Sequence, residues 1–123
     1  MKRQIRITAG SVSALAELNT TKTAEAIWQA LPLKAKASTW GDEIYFAIPV
    51  KMELENGQEV VNLGDLGYWP EGNAFCIFFG PTPVSKGNEI RPASAVNIFG
   101  RVTADPKVFQ KVKRGEPVTI ERA

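Results

Sequence analysis

Hydrophobic and polar residues alternate one by one over several short stretches of the chain. Residues 4–8, 12–17, 33–40 and 43–50 each place apolar side chains at every second position. That period of two is typical of a half-buried β-strand. The dipeptide Gly41-Asp42 separates the last two stretches and predicts a tight turn between them. The first half of the chain is therefore predicted to consist mainly of β-strands.

Two segments have the spacing of helices instead. Apolar side chains recur at intervals of three to four residues from residue 24 to residue 31. N-cap candidates at residues 19–21 precede this segment, and Pro32 ends it. Asp105 followed by Pro106 predicts the start of a second short helix, because proline is favoured at the first helical position.

Residues 64–83, GDLGYWPEGNAFCIFFGPTP, form the most distinctive stretch of the chain. Its apolar run at 74–79 predicts a central buried strand, with glycine and proline turns on either side. Along that strand Phe78 is the aromatic residue that we expect a pocket to expose. Upstream, Asn56-Gly57 predicts a hairpin between residues 52–55 and 58–61.

Later segments complete the set of elements. Residues 95–102 and 117–121 are each predicted to form a strand, and the loop between 84 and 94 has no clear periodicity. The total is about eight short strands with two short helices, and many strands with few helices favour a closed β-barrel or a sandwich. We expect one domain over residues 1–123.

Composition limits the chemistry that the chain can support. The net charge of +2 is too small to predict a nucleic-acid or anionic-membrane partner, and no apolar run approaches the length of a membrane span. The sequence contains no histidine, which excludes histidine-dependent catalysis and most zinc sites. No glycine-rich phosphate motif is present, so neither a cofactor nor a metal is predicted. A single cysteine, Cys76, together with the absence of a signal-peptide pattern predicts a cytoplasmic protein.

Several motifs resemble those of cyclophilins. KTAE at 22–25 is similar to the start of their first helix, and IFGRV at 98–102 is similar to a late strand. With GDEIYF at 41–46, RPAS at 91–94 and the long aromatic stretch, the whole chain resembles the small prokaryotic cyclophilin-like proteins. The resemblance implies a cyclophilin-like closed barrel capped by two short α-helices.

True cyclophilins isomerise X-Pro peptide bonds, and the resemblance locates their catalytic positions in this chain. Phe46 stands where the family has its catalytic arginine. The glutamine position falls near Leu54 and the histidine position near Val96, and residues 81–95 contain no tryptophan. Without a donor to the prolyl nitrogen, efficient isomerase activity is not expected unless Arg91 or Arg101 substitutes in space.

The candidate binding residues come from three parts of the sequence. Glu43 and Tyr45 share one face of a predicted strand and could line a groove with the aromatic pair that follows Gly67. A long loop beside the aromatic strand could form a binding rim. The candidates are Glu43, Tyr45, Phe46, Tyr68, Trp69, Phe78, Thr82 and Arg91.

Four functional hypotheses remain open from the sequence, and one of them, a plain interaction module, predicts an exposed apolar patch without a concave pocket. The other three concern specific sites or assemblies. The first is a binding protein for a small molecule or an extended peptide, without isomerase chemistry. The second is an atypical peptidyl-prolyl isomerase. The third is a component of an amidohydrolase-type assembly, since cyclophilin-like barrels also occur there together with partner subunits. The first hypothesis predicts a monomer or a homodimer.

Overall fold

Nine antiparallel strands form a nearly closed barrel in the computed structural model, which describes residues 3–123. The strands are β1 (Gln4–Ala9), β2 (Val12–Leu18), β3 (Leu33–Lys36), β4 (Ser38–Thr39), β5 (Glu43–Ala47), β6 (Asp65–Trp69), β7 (Ala74–Phe78), β8 (Asn97–Val102) and β9 (Pro117–Arg122). Their order across the sheet is β3-β9-β1-β2-β8-β6-β7-β5-β4. The predicted all-β barrel is confirmed.

The interior of the barrel is filled by every second residue of the strands. In β1, Ile5 and Ile7 are fully buried, whereas the intervening Arg6 is exposed. On the other side of the barrel, Phe46 stacks on Phe75 with ring centroids 5.0 Å apart, and Phe75 meets Phe99 edge-on at 4.9 Å. Aromatic pairs in these geometries contribute beyond their buried area. The strand periodicity seen in the sequence therefore defines the core.

The predicted strand at 33–40 is two strands, β3 and β4. Ala37 interrupts it, and β3 and β4 lie at opposite ends of the strand order. The N–H of Ala37 donates to the carbonyl of Glu116 at 2.9 Å, and its carbonyl accepts from Gly115 at 2.8 Å. The chain turns a corner at this buried alanine because its backbone bonds to the turn before β9.

Two helices contribute to the core, but only the first is an α-helix. Helix α1 (Lys22–Ala30) begins after Thr21, whose hydroxyl accepts from the N–H of Ala24, and it buries Ala24 and Ile27 against the barrel. The second segment, Pro106–Lys111, is a 3₁₀ helix that buries Phe109, so the expectation of two α-helices was half wrong. At three residues per turn its six residues make two turns, which is longer than most 3₁₀ segments.

The hairpin predicted at Asn56-Gly57 is wrong. Residues 52–55 form no strand, and Gln58 instead exchanges two backbone hydrogen bonds with Val96, at 2.8 Å and 3.0 Å. Asn56 does have a positive φ of 51°. Gly57 is not among the glycines with positive φ, so the predicted hairpin turn does not form, and the neighbouring residues bond to distant parts of the chain rather than to each other.

Asn97 holds residues 53–55 against helix α1. Its amide donates to the carbonyl of Glu53 at 2.8 Å and to the Thr23 hydroxyl at 3.1 Å, and its Oδ1 accepts from the N–H of Glu55 at 2.7 Å. The Glu55 carboxylate in turn accepts from the N–H groups of Lys22 and Thr23, both at 2.9 Å. These hydrogen bonds lower the pKa of Glu55. A carboxylate from a remote segment thus satisfies the free donors at the start of α1.

The barrel also carries a second apolar layer on the outside of strands β5 to β8. Ala74, Cys76 and Phe78 point outward from β7 and are fully buried. They are covered by Val61, Ile90 and Val96, which come from the two long connections at 48–64 and 79–96. These connections pair with each other where the backbone N–H of Val61 donates to the backbone carbonyl of Ile90 at 2.9 Å. Strand β7 is therefore buried on both faces, as its continuous apolar run predicted.

Replacing Asn97 by leucine should destabilise the protein by about 2–4 kcal/mol, because the N–H of Glu55 and the carbonyl of Glu53 would lose their partner. Urea unfolding followed by circular dichroism measures the change. Asn88→Leu, in an exposed loop, is the control and should change stability by less than about 0.5 kcal/mol. Equal midpoints for the two variants would contradict this role for Asn97.

Candidate functional site

A cavity of about 280 Å³ lies between the outer face of the barrel and the loop that follows β7. Strand β5 and the turn before it contribute Trp40, Glu43 and Tyr45, while β6 and β7 contribute Trp69 and Cys76. The loop side consists of Pro92, Ala93 and Val96. The three aromatic side chains are half-buried, so the cavity is open to solvent beside them.

Glu43 is the polar group at the centre of this cavity. It is only 5% exposed, and its Oε1 has no hydrogen-bond partner among residues 3–123. Burial raises the pKa of its carboxyl group to about 7, against a small opposing effect of a hydrogen bond from the Cys76 thiol. A carboxyl group titrating near neutrality can be protonated or ionised under ordinary conditions.

Trp69 is held in place from two sides. Its indole N–H donates to the Ser94 hydroxyl at 2.6 Å, and that hydroxyl bonds to the Glu71 carboxylate. Against the ring lies Gly72, where an added Cβ would come within 2.7 Å of two indole carbons. The 3₁₀ turn Pro70–Gly72 therefore packs closely on the ring only because its last residue lacks a side chain. The aromatic wall of the cavity is preorganised by these contacts.

Cys76 forms the floor of the cavity and is not a reactive thiol. It lies on β7 opposite Tyr45 and is 1% exposed. Burial raises its pKa well above the ordinary value, and the neighbouring Glu43 raises it further. A thiol that stays protonated is a poor nucleophile.

The structure brings three of the eight candidate residues together, namely Glu43, Tyr45 and Trp69. Phe46 and Tyr68 point into the barrel, because they alternate with the residues that face outward. The Tyr68 hydroxyl donates to the carbonyl of Val50 at 2.5 Å. Both residues belong to the core rather than to the cavity.

Phe78 is also not a pocket residue, contrary to its expected exposure. It faces outward on β7 but is fully buried under the covering segments. Gly67 on the neighbouring strand makes room for this packing, since an added Cβ there would lie 2.9 Å from Val96 and 3.1 Å from the Phe78 ring. Cys76, two residues earlier on the same face, reaches the cavity instead.

Thr82 and Arg91 organise the loop and do not line the cavity. The Thr82 hydroxyl donates to the carbonyl of Arg91, and Ser85 accepts from the backbone N–H groups of both residues at 3.0 Å. The Arg91 guanidinium pairs with Glu89 at 2.7 Å. Arg91 lines a neighbouring hollow that shares Pro92 and Ala93 with the cavity.

Sequence reasoning missed Trp40, Ser94 and the two loop residues Pro92 and Ala93. For Trp40 a signal was available, because the turn at residues 41–42 returns the chain upon itself. The backbone N–H of Trp40 donates to the backbone carbonyl of Glu43 at 3.0 Å, and both residues line the cavity. The loop residues had no such signal, since their position depends on how the long connection folds back.

Comparison with known proteins agrees with this architecture. A family model described as cyclophilin-like matches residues 3–121. The chain belongs to the cyclophilin-like family. A solution structure of a hypothetical protein from Archaeoglobus fulgidus resembles this cyclophilin-like barrel with a TM-score of 0.84 and 45% sequence identity, over 99% of this chain and 95% of the other. A search of curated proteins found no match.

The positions that resemble an isomerase site do not converge in this cyclophilin-like barrel. Phe46, at the arginine position, is turned into the core, and no arginine is among the described residues that line the cavity. Arg101 lies on β8 beside a separate, open hollow that also includes Asp65. Neither Arg91 nor Arg101 therefore replaces the missing donor at the cavity.

Two other features bear on the kind of site present. Within residues 3–123, no group of three or more carboxylate, thiol or imidazole side chains could hold a metal ion. None of the helices described is long and apolar enough to cross a membrane.

Replacing Glu43 by glutamine should change the pH dependence of stability. The folded pKa of about 7 lies above the unfolded value of 4.5, so the folded state binds more protons and the wild type loses stability as pH rises through that range. Over this pH range the free energy of unfolding of the wild type should fall by about 2–4 kcal/mol more than that of the variant. Urea unfolding of both proteins at about pH 4.5 and about pH 8 measures it. A difference between the two proteins that does not vary with pH would show that Glu43 titrates normally, and the exposed Glu59→Gln serves as control.

Proposed function

We propose that this cyclophilin-like protein binds a small molecule in the cavity between Glu43 and the loop at 91–96, and that it does not isomerise prolyl bonds. The observation that carries the proposal is the unpartnered, buried Oε1 of Glu43 in an aromatic-walled cavity. Buried polar atoms are nearly always hydrogen-bonded, and exceptions concentrate at functional sites. A bound molecule would supply the missing partner.

The size and walls of the cavity support a small ligand rather than a peptide. Its volume of about 280 Å³ lies just below the ~300–1,000 Å³ typical of ligand pockets. The walls are mostly aromatic and apolar, with Glu43 and Tyr45 as the polar groups that could orient an occupant. An extended peptide would need a longer groove than these eight lining residues provide.

The residues at the cavity argue against isomerase chemistry. Prolyl isomerisation is accelerated by a donor that hydrogen-bonds the pyramidal nitrogen in the transition state. At this site the ionisable groups are a carboxyl, a thiol and a phenol, and the family's arginine position is occupied by an inward-facing phenylalanine. Glu43 would also repel the electron-rich amide oxygen of a peptide when it is ionised.

A cellular location and an oligomeric state can also be proposed for the protein. We place it in the cytoplasm, where a lone buried thiol such as Cys76 stays reduced. We also propose that it acts as a monomer or a homodimer. A role in an amidohydrolase-type assembly would require partner subunits, and light scattering of the purified protein together with co-purification distinguishes these alternatives.

Occupation of the cavity can be tested with a library of small fragments and nitrogen-15 NMR. Fragments that enter should shift the indole N–H signals of Trp40 and Trp69 in the wild type. Ala93→Phe places a ring at the exposed rim of the cavity and should abolish these shifts. Ala104→Phe, at an exposed position away from the cavity, is the matched control and should preserve them. Shifts that persist in Ala93→Phe would exclude this cavity as the binding site.

Isomerase activity is tested by a protease-coupled assay on a proline-containing peptide. We expect the rate to equal the uncatalysed rate, which has a time constant of tens to hundreds of seconds. Turnover that is lost in Trp69→Ala and retained in Trp28→Ala would instead establish an atypical isomerase at the same cavity.

A further inference from the structure

The charge of the occupant can be inferred from the surroundings of Glu43. An ionised carboxylate in an apolar cavity is strongly unfavourable unless a positive charge or hydrogen-bond donors compensate for its lost hydration. Oε1 of Glu43 has no donor in the part of the chain that the structure describes. The site therefore favours an occupant that brings positive charge.

No basic side chain of the described residues provides that charge. Arg91 is engaged by Glu89 at 2.7 Å and 3.3 Å, and it lines the neighbouring hollow. The titratable groups that face Glu43 are the Cys76 thiol from β7 and the Tyr45 phenol from its own strand, and the covering loop contributes only uncharged side chains. The carboxyl group thus lacks a counter-ion of its own.

The aromatic walls suit a cation as well. Trp40, Tyr45 and Trp69 line one small cavity, and aromatic rings attract cations through the negative potential of their faces, tryptophan most strongly. The N–H of Trp69 is already used by Ser94, so this indole offers carbon surface rather than a hydrogen bond. Three aromatic side chains next to one carboxylate are the combination that binds quaternary ammonium groups.

The scarcity of acceptors narrows the class of cation further. A primary ammonium group has three donors that need partners, and a guanidinium has five. The cavity provides the carboxyl group of Glu43 and the Tyr45 hydroxyl, and little else that is polar. A methylated ammonium group carries its charge on an apolar surface and needs no further acceptors.

We propose that the cavity formed by Trp40, Glu43, Tyr45, Trp69 and Cys76 binds a small methylated ammonium compound, with Glu43 as its counter-ion. This assignment rests on the proposed function, since it names the chemical class of the ligand at the same site. The cation lies among the three aromatic side chains, and the Glu43 carboxylate provides the negative charge beside it.

Binding is coupled to the ionisation of Glu43. Because burial raises its pKa to about 7, the carboxyl group is mostly neutral in mildly acidic solution and mostly ionised above neutrality. A cation prefers the ionised form, so it lowers the pKa of Glu43 on binding and its affinity rises with pH. Between about pH 6 and about pH 8 the increase should be about tenfold.

The test compares choline with its neutral isostere 3,3-dimethylbutanol, which has the same shape without the charge. Both are titrated into the wild-type protein by NMR at about pH 6 and about pH 8. Choline should bind about tenfold more tightly than the isostere at the higher pH, and only choline should show an affinity that increases with pH.

Two variants separate the contributions of the charge and the rings. Glu43→Gln keeps the shape of the side chain and should weaken choline binding about tenfold at about pH 8 and remove its pH dependence. Trp40→Leu keeps an apolar wall, and it should weaken choline more than the isostere. Glu59→Gln, at an exposed position outside the cavity, should bind choline as the wild type does.

Three other results would count against the binding of a methylated ammonium compound at this cavity. Equal affinities for choline and the isostere would overturn the cation assignment and leave a neutral-ligand site in place. If choline fails to bind while other fragments shift the indole signals in a manner sensitive to Ala93→Phe, the ammonium class is wrong and the proposed function stands. If no compound of any charge enters the cavity, the proposed function fails as well.

Discussion

Strand β7 is apolar on both faces, and the rest of the structure follows from the need to keep water from each of them. Phe75 and Ile77 face the barrel interior, where the other strands cover them. Ala74, Cys76 and Phe78 face outward, and only the long connections at 48–64 and 79–96 can cover them. Burial of apolar surface at about 25 cal/mol per Å² favours this covering. Beside these covering segments a hollow remains on the outer face of the barrel, and Glu43 lines it.

Most of the barrel could be predicted from local patterns. Alternation identified β1, β2 and β5, and the N-cap residue Thr21 marked the start of α1. These elements depend on periodicity and capping, which are visible in a single sequence. The split at Ala37 and the failed hairpin at Asn56-Gly57 depend on hydrogen bonds to Glu116 and Val96, far away in the chain. No local pattern reports such bonds.

The candidate site was predictable only where it lies on regular strands. Glu43 and Tyr45 share a face because strands alternate, and Trp69 reaches the same face through the pairing of β6 with β7. The same rule, applied to Phe46 and Tyr68, turns them into the core. The loop side of the cavity comes from Pro92 and Ala93, whose position is determined by hydrogen bonds of Ser85, Thr82 and Arg91. Resemblance to an isomerase gave no guidance there, because the equivalent catalytic groups are missing.

The interior and the outer apolar clusters contact different elements of the fold. Residues that hold the barrel together are therefore largely separate from residues that line the cavity. The interior cluster contains residues of every strand except β4, so a change there affects the whole barrel. The outer cluster and the cavity beside it touch β5 to β8 and the covering loop, leaving the interior residues untouched. Positions such as Trp40 and Ala93 can therefore change while the barrel that displays them is kept.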